Sequence, residues 1–295
     1  MKNNTKAYIF TAMAILFWAT SATAFKIALK YVSPFHLLLY SVFVSTISLF
    51  VIIIIQKKLN QLFRLKLKNI LIFAGLGFLN PFLYYLILFE AYSLLPGQIA
   101  MSLNYAWPIA LILLSVPILK QTLTSQQVLA VLISFIGAVI IATRGEIISF
   151  TNVSYLGVTL AIVSTLIWAT FWLTNAKDKQ DPVIKLFIGF CFGLVYTFLA
   201  SPFWGGIEIP VFEAWVPLIY IGMFEMGVTF VLWLIALKLA SSAARIGNLI
   251  FIAPFLSLVF LNLILGEEIY VSTFLGLVLI VAGIIIQTFA SKDNL

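Results

Sequence analysis

Glu225 is the acidic side chain that lies deepest within an apolar segment, near the middle of the run 214–237. A carboxyl group at bilayer depth is costly whether it is charged or unpaired, so such residues usually face a cavity or a partner. Asn80, beside Pro81, lies at a corresponding depth in an earlier run. We predict that Glu225 and Asn80 bind substrate, and that Glu225 can exchange a proton. The alternative for Glu225 is a structural hydrogen bond between helices.

Aromatic side chains with polar tips gather at similar depths in several apolar runs. Trp and Tyr near helix ends usually form the interfacial belt, but these lie well inside, where an indole or phenol needs a partner for its polar atom. A cavity that stacks planar ligands would supply one, and ordinary packing is the alternative. The inner set consists of Trp18, Tyr84, Tyr85, Tyr105, Trp107, Trp168, Trp172 and Trp233. All of these except Tyr85 are predicted to bind substrate.

Two intramembrane prolines, Pro108 and Pro254, lie 146 residues apart in matching sequence contexts. A proline inside a helix frees a backbone carbonyl, which neighbouring groups or water in a cavity must satisfy. We predict that both prolines act as hinges when access changes from one side of the membrane to the other. A static kink is the alternative.

The composition indicates the class of protein to which these residues belong. Hydrophobic residues make up 63% of the 295 positions and charged residues 9%, with a mean hydropathy of +1.15. No soluble domain of this size needs so large a core, so the sequence predicts an all-α, multi-pass membrane protein. A helix of roughly 20 apolar residues crosses a ~30 Å hydrocarbon layer. Ten such runs occur, at 8–28, 34–55, 69–91, 97–119, 125–143, 154–175, 185–204, 214–237, 243–265 and 270–289.

The ten runs divide into two copies of one five-helix unit, predicted at 1–143 and 144–295. Trp18-Ala19-Thr20 recurs as Trp168-Ala169-Thr170, and Gly137 recurs as Gly283 at the same spacing as the prolines. Because five is an odd number of crossings, the second copy must be inverted in the bilayer. Trp18 also has this counterpart, so the first run is interpreted as a helix and not as a cleaved signal peptide.

The distribution of basic residues predicts the orientation. With both termini in the cytoplasm, fourteen of the 17 Lys and Arg residues fall on the inner side, and three fall outside: Lys26, Lys30 and Arg144. This asymmetry is the positive-inside pattern. The net charge of +7 is therefore explained by topology, and we predict no nucleic-acid partner.

Several chemistries lack their motifs in this sequence. There is no phosphate-binding GxxxxGK[ST] loop, and one His with one Cys cannot form a metal site or a disulfide. No pattern of a nucleophile with its base is found, so the chain is predicted not to be an enzyme. No cofactor or metal is expected.

The motifs resemble the EamA-type transporters of the drug/metabolite transporter superfamily. The resemblance rests on Trp18-Ala19-Thr20 leading to Lys26 and Ser33-Pro34, and on Leu265-Gly266-Glu267 followed by Gly276 and Gly283. The sequence from Leu103 to Pro108 resembles the corresponding segment in the branch of aromatic amino-acid exporters. The resemblance implies ten helices and a substrate path lined by spans one, three, four, six, eight and nine.

Together these features predict a secondary transporter in the cytoplasmic membrane. It would export a small organic metabolite, such as an amino acid or a related compound, by alternating access, with protons as a candidate coupling ion. The alternatives are a nucleotide-sugar or lipid-type carrier and a membrane sensor or assembly partner without transport. A phosphate-bearing substrate would favour basic residues in the cavity, and no Lys or Arg lies near the midpoint of a run. The expected partners are the substrate and the lipid bilayer, and no oligomeric state is assigned.

Overall fold

The computed structural model describes residues 2–119, 123–145, 154–175, 180–240 and 249–290. Eight helices in these segments are long and apolar enough to cross a membrane. They are α1 (Asn4–Ala28), α2 (Pro34–Ile55), α3 (Leu67–Leu94), α4 (Gly97–Ile118), α5 (Ser125–Ala142), α6 (Tyr155–Asn175), α7 (Pro182–Trp204) and α8 (Phe212–Leu239). Two shorter apolar helices follow, α9 (Ile250–Leu265) and α10 (Val271–Ile286). The prediction of an all-α membrane protein is confirmed, whereas ten complete crossings remain a prediction.

Local signals explain where several helices begin and end. Ser33 caps α2 by accepting from the His36 amide at 3.3 Å, and Pro34 occupies the first turn, where no amide donor is needed. Thr124 and Gln127 form a reciprocal capping box at the start of α5. Gly266 ends α9 in the left-handed conformation, with φ of 67°.

The helices α3 and α8 share an unusual construction. Each is 28 residues long, and each is interrupted near its middle by a π-helical turn, at Phe78–Leu83 and Ile221–Glu225. Within the first turn, Asn80 is extended, with φ of −147° and ψ of 119°. Such turns widen a helix and are frequent at functional sites. Asn80 and Glu225, the two polar residues predicted to bind substrate, therefore both lie in π-helical turns.

The packing partners of the helices are exchanged between the two halves. Helix α1 packs against α8 and α9, whereas α6 packs against α3 and α4. Helix α2 packs against α7, and α5 packs against α10. A pseudo-twofold relation between the halves would produce this pattern. The inversion of the second half itself remains a prediction.

Small residues allow α5 and α10 to pack closely. A Cβ atom added to Gly137 would lie 2.5 Å from the carbonyl oxygen of Gly276, and one added to Gly276 would lie 2.5 Å from that of Gly137. Ser134 Oγ also donates to the carbonyl of Ile280 at 3.2 Å. Because lipid tails are as apolar as the helices, close packing and hydrogen bonds of this kind hold spans together.

Polar contacts join helix ends at the two faces of the bundle. At the predicted inner face, Lys58 Nζ pairs with Asp181 Oδ2 at 2.6 Å, and Asp181 caps α7. Partial burial would by itself raise the pKa of Asp181, but the hydrogen bonds from Lys58 and from the amides of α7 lower it below its usual range. At the predicted outer face, Tyr40 Oη donates to the carbonyl of Glu208 at 2.7 Å.

We expect Gly137→Ala to destabilise the protein, because the new methyl group would collide with backbone of α10. Overpacking of this kind costs about 1–3 kcal/mol, so the apparent Tm and the monodisperse fraction of detergent-solubilised protein should both fall. Gly75→Ala on α3 is the matched control, since nothing lies within 4 Å of its added Cβ. An unchanged Tm for Gly137→Ala would show that the α5–α10 contact is looser than described.

The predicted inversion can be tested by cysteine labelling in a Cys191→Ser background. Asn60 and Ile209 are both exposed and lie in segments between spans that correspond to each other in the predicted repeat. A membrane-impermeant thiol reagent should label Asn60→Cys only from the cytoplasmic side and Ile209→Cys only from the outside. Labelling of both positions from one side would rule out the inverted arrangement.

Candidate functional site

A cavity of ≈ 400 Å³ lies at the centre of the bundle. Its volume falls within the range of small-molecule sites, about 300–1,000 Å³. Helices α1, α3, α4, α6, α8 and α9 form its walls, together with Ile284 of α10. The lining side chains are Trp18, Ser21, Ala22, Phe25, Tyr84, Leu88, Tyr92, Met101, Asn104, Tyr105, Trp107, Pro108, Leu111, Trp168, Trp172, Glu225, Phe230, Trp233, Ile250, Phe251 and Ile284. Six of the seven contributing helices are those that the family resemblance implies.

Aromatic rings in contact with one another form much of the wall. The Trp168 ring lies 4.5 Å from that of Tyr84 and 5.8 Å from that of Phe230, measured between centroids. Trp18 meets Trp233 edge to face at 5.5 Å. These contacts join α1, α3, α6 and α8, so the walls and the bundle are stabilised by the same interactions.

Glu225 is the acidic residue in the described lining, and both of its oxygens have partners. The Ser21 hydroxyl of α1 lies 2.5 Å from Oε2, and the Tyr85 hydroxyl of α3 donates to Oε1 at 3.0 Å. Glu225 is 9% exposed, and Tyr85 is fully buried behind the wall. The carboxyl group thus joins α8 to α1 and α3, and Glu225 also lines the cavity.

The Ser21 hydroxyl can respond to the protonation state of Glu225. Its Oγ also lies 3.0 Å from the carbonyl oxygen of Phe17, but a hydroxyl has a single proton to donate. If Ser21 donates to Phe17, the 2.5 Å contact requires a proton on Glu225. If Glu225 is ionised, Ser21 donates to it instead. Either protonation state of Glu225 therefore has a complete set of hydrogen bonds.

Asn104 supplies a second polar group to the wall. Its Oδ1 accepts from the Tyr84 hydroxyl at 3.1 Å, and its Nδ2 donates to Ser164 Oγ at 2.9 Å. These bonds join α3, α4 and α6 and hold the Tyr84 ring in place. In contrast, the buried indole nitrogen of Trp172 has no hydrogen-bond partner among the described residues.

A group of polar contacts closes the predicted outer end of the cavity. Glu267 accepts from the amides of Gly97 and Gln98, at 2.9 and 3.2 Å, and so caps the first turn of α4. The Gln98 side chain donates to the carbonyl of Glu268 at 2.6 Å and accepts from the amide of Tyr270 at 3.0 Å. Lys26 Nζ donates to two carbonyls at the end of α3, both at 3.0 Å. We call Lys26, Gln98 and Glu267 the outer latch.

The cavity extends from the outer latch toward the predicted inner face. Phe25 and Tyr92 line its outer part, and their rings are in contact at 5.1 Å. Lining residues at the other end belong to the inner portions of their helices, as with Trp172, Trp233 and Phe251. The outer end therefore has both an aromatic contact and a polar latch.

Both predicted hinge prolines lie at the start of helical segments. Asn104 ends the first part of α4, and a new segment begins at Trp107, so Pro108 lies in its first turn. Pro254 lies in the first turn of the α-helical part of α9, after a 3₁₀ turn at Ile250–Ile252. A proline in a first turn leaves no amide unsatisfied. In α4 the break itself therefore lies at residues 105–106, just before Pro108.

Asn80 lies apart from the other predicted site residues. It borders a second cavity of ≈ 10 Å³ between α3, α6 and α7, together with Phe171, Asn175 and Lys185. Its side-chain amide is buried and has no hydrogen-bond partner among the described residues. A space of this size is about that of one water molecule, so it is too small for an organic substrate.

The structure gathers eight of the nine predicted substrate residues around the central cavity. These are Glu225, Trp18, Tyr84, Tyr105, Trp107, Trp168, Trp172 and Trp233. Sequence reasoning did not select Ser21, although it lies three residues after Trp18 and four before Phe25, the spacing of one helix face. Tyr85 was grouped with the inner aromatic residues, but its bond to Glu225 depends on how α3 and α8 meet.

A bundle of apolar helices around a central cavity of this kind defines a multi-pass membrane protein able to hold a small molecule at mid-depth. The chain belongs to the EamA-like transporter family, whose sequence pattern matches residues 5–143 and 155–289. It is therefore a transporter of the cell membrane, in the drug/metabolite transporter superfamily. The predicted family is confirmed.

Individual relatives are similar over most of the chain. An uncharacterized transporter of Archaeoglobus fulgidus is 25% identical over 95% of this chain and 98% of its own length. The uncharacterized transporter YvbV of Bacillus subtilis is 24% identical, over 98% and 93%. The aromatic amino acid exporter YddG of Ancylobacter novellus is 25% identical over 62% of this chain and 63% of its own. A solved crystal structure with 22% identity covers 99% of both chains with a TM-score of 0.69, which shows a similar fold.

We expect Glu267→Gln to weaken closure of the outer end. The amides of Gly97 and Gln98 donate to different oxygens of Glu267, and the NH₂ group that replaces one of them in glutamine cannot accept. Loss of such a cap costs about 1 kcal/mol, equivalent to about fivefold in an equilibrium. Leu88→Cys, in a Cys191→Ser background, should then react about fivefold faster with an impermeant thiol reagent added outside. Glu268→Gln is the control, since only its backbone carbonyl takes part in the latch. Equal rates in both variants would show that the latch does not hold this end closed.

Proposed function

We propose that this protein exports a small organic metabolite, an amino acid or a related compound, across the cytoplasmic membrane by alternating access. The observation that carries the proposal is a central cavity with one carboxyl group and aromatic walls. Glu225 supplies polar recognition and proton linkage, and the Trp and Tyr residues hold the apolar part of the substrate. The exporter YddG among the relatives supports a substrate of this size and type.

Proton linkage is supported by the bonds around Glu225. A buried group can cycle between two charge states only if neither state leaves an unsatisfied polar atom. The Ser21 hydroxyl can donate to an ionised Glu225 or accept from a protonated one, and the Tyr85 hydroxyl can donate in both cases. Rotation of the Ser21 hydroxyl therefore completes the hydrogen bonds of Glu225 in both its ionised and its protonated state.

Alternating access is supported by the contacts that close the outer end of the cavity. The outer latch and the Phe25–Tyr92 contact close one end, and the lining continues toward the predicted inner face. In the other state, α4 and α9 would bend near Pro108 and Pro254, the latch would separate and the inner end would close. The ends of helical segments are where such rotations are most easily absorbed.

Carriers of nucleotide sugars or lipid headgroups need cationic groups for phosphate. None of the described residues that line the cavity is Lys or Arg. An ionised Glu225 would also repel a phosphate. The site therefore favours a small metabolite without phosphate over these rival cargoes.

We expect Glu225→Gln to abolish proton-linked export while leaving the fold intact, because the amide keeps the shape of the side chain without its titration. Metabolite profiles of cells and medium, compared between a deletion strain and strains producing each variant, identify the exported compound and the direction. Wild-type protein should move one small group of compounds into the medium, with a rate that depends on pH.

Glu213→Gln provides the matched control, because this exposed carboxylate lies on the same helix. It should behave as wild type at equal amounts of folded protein, checked by size-exclusion chromatography. If Glu225→Gln exports at the wild-type rate with the same pH profile, Glu225 is a structural bond between helices. If the wild-type profile matches that of the deletion strain, the export proposal is wrong.

A further inference from the structure

We infer that the substrate is an organic cation, a primary amine or a related ammonium compound with an apolar or aromatic body. This inference rests on the proposed function and narrows its substrate class from amino acids and related compounds to the related compounds that carry an ammonium group without a carboxylate. It depends on three features of the central cavity: a single carboxyl group, aromatic rings beside it, and no basic group among the described lining residues.

The carboxylate provides the anchor for a positive charge. Glu225 lines the cavity together with Ser21, which binds one of its oxygens, and the buried Tyr85 binds the other. Two hydroxyl donors do not neutralise an ionised carboxylate, so a full charge would remain at bilayer depth. An ammonium group pairs with this charge directly, and charge-assisted hydrogen bonds are about twice as strong as neutral ones.

The aromatic walls suit a cation better than an anion. Trp18, Trp168, Trp233 and Tyr84 line the same cavity as Glu225, and the faces of such rings attract ammonium groups. The same rings pack against the apolar body of an aryl-alkyl amine. A substrate carboxylate would face these ring faces and Glu225, and the described lining offers it no Lys or Arg.

The amine and the proton would compete for one carboxyl group. From the cytoplasmic side, binding of the ammonium group displaces the proton of Glu225 to the cytoplasm. After the cavity opens outward, a proton from outside binds Glu225 and the amine leaves. The exchange moves one positive charge in each direction. Glu225 therefore carries either the amine or a proton whenever the cavity changes from one side of the membrane to the other.

Calorimetry with four ligands that share a phenylethyl body can test the inference, using the full-length protein in nanodiscs at neutral pH. Phenethylamine is cationic, phenylalanine is zwitterionic, 2-phenylethanol is neutral and 3-phenylpropionate is anionic. Phenethylamine should bind at least about tenfold more tightly than each of the others, the size expected of one charge-assisted hydrogen bond. Its binding heat should also vary with the ionisation enthalpy of the buffer, since a proton is released.

Glu225→Gln should abolish both the preference for the amine and the proton release, and Glu213→Gln should retain both. The inference is wrong if phenylalanine binds as tightly as phenethylamine, if Glu225→Gln keeps the preference, or if none of the four ligands binds at millimolar concentration. In each of these cases export measured by metabolite profiling would still stand. A preference for the amine with no exported compound would instead reject the proposed function.

Discussion

The rest of the structure depends on the cost of placing a carboxyl group at mid-membrane depth. Glu225 must have partners in either charge state, and they come from two different helices, through Ser21 and Tyr85. This requirement brings α1, α3 and α8 to one point. The aromatic contacts then extend the junction to α6. The cavity exists because these rings pack against one another around the carboxyl group and do not fill the centre.

The backbone of α8 is adapted to carry this residue. Glu225 ends a π-helical turn, and Gly222 within that turn permits close approach to α2, since an added Cβ would lie 2.6 Å from the Ser41 carbonyl oxygen. The Thr229 hydroxyl donates to the carbonyl of Phe224 within the same helix. A regular helix would direct residue 225 differently and would not allow the same approach to α2. The local irregularity therefore positions the carboxyl group.

The inner aromatic residues could be singled out from the sequence because their depth in apolar runs differs from the usual interfacial position. They line the central cavity, and their binding of substrate remains a prediction. The depth of a residue in its run did not predict which way its side chain points. Asn80 has the right depth, but its extended backbone places the side chain beside Phe171 and Asn175, outside the central cavity. Ser21 could not be singled out from the sequence, because hydroxyl residues are common in membrane spans and usually donate to a carbonyl of their own helix. Its role depends on an α1–α8 contact between residues 204 positions apart.

The same carboxyl group can explain both recognition and coupling. If a proton and a cationic substrate bind one group, each excludes the other, and their affinities are linked without any long chain of interactions. Coupling then requires only that the cavity change access more readily when Glu225 is protonated or paired with the cation than when it is ionised and unpaired. The outer latch contains two charged side chains, Lys26 and Glu267, and both bind backbone groups at helix ends. The stability of the outer latch therefore depends on helix geometry, and in the proposed cycle the charge state of Glu225 decides when the latch can separate.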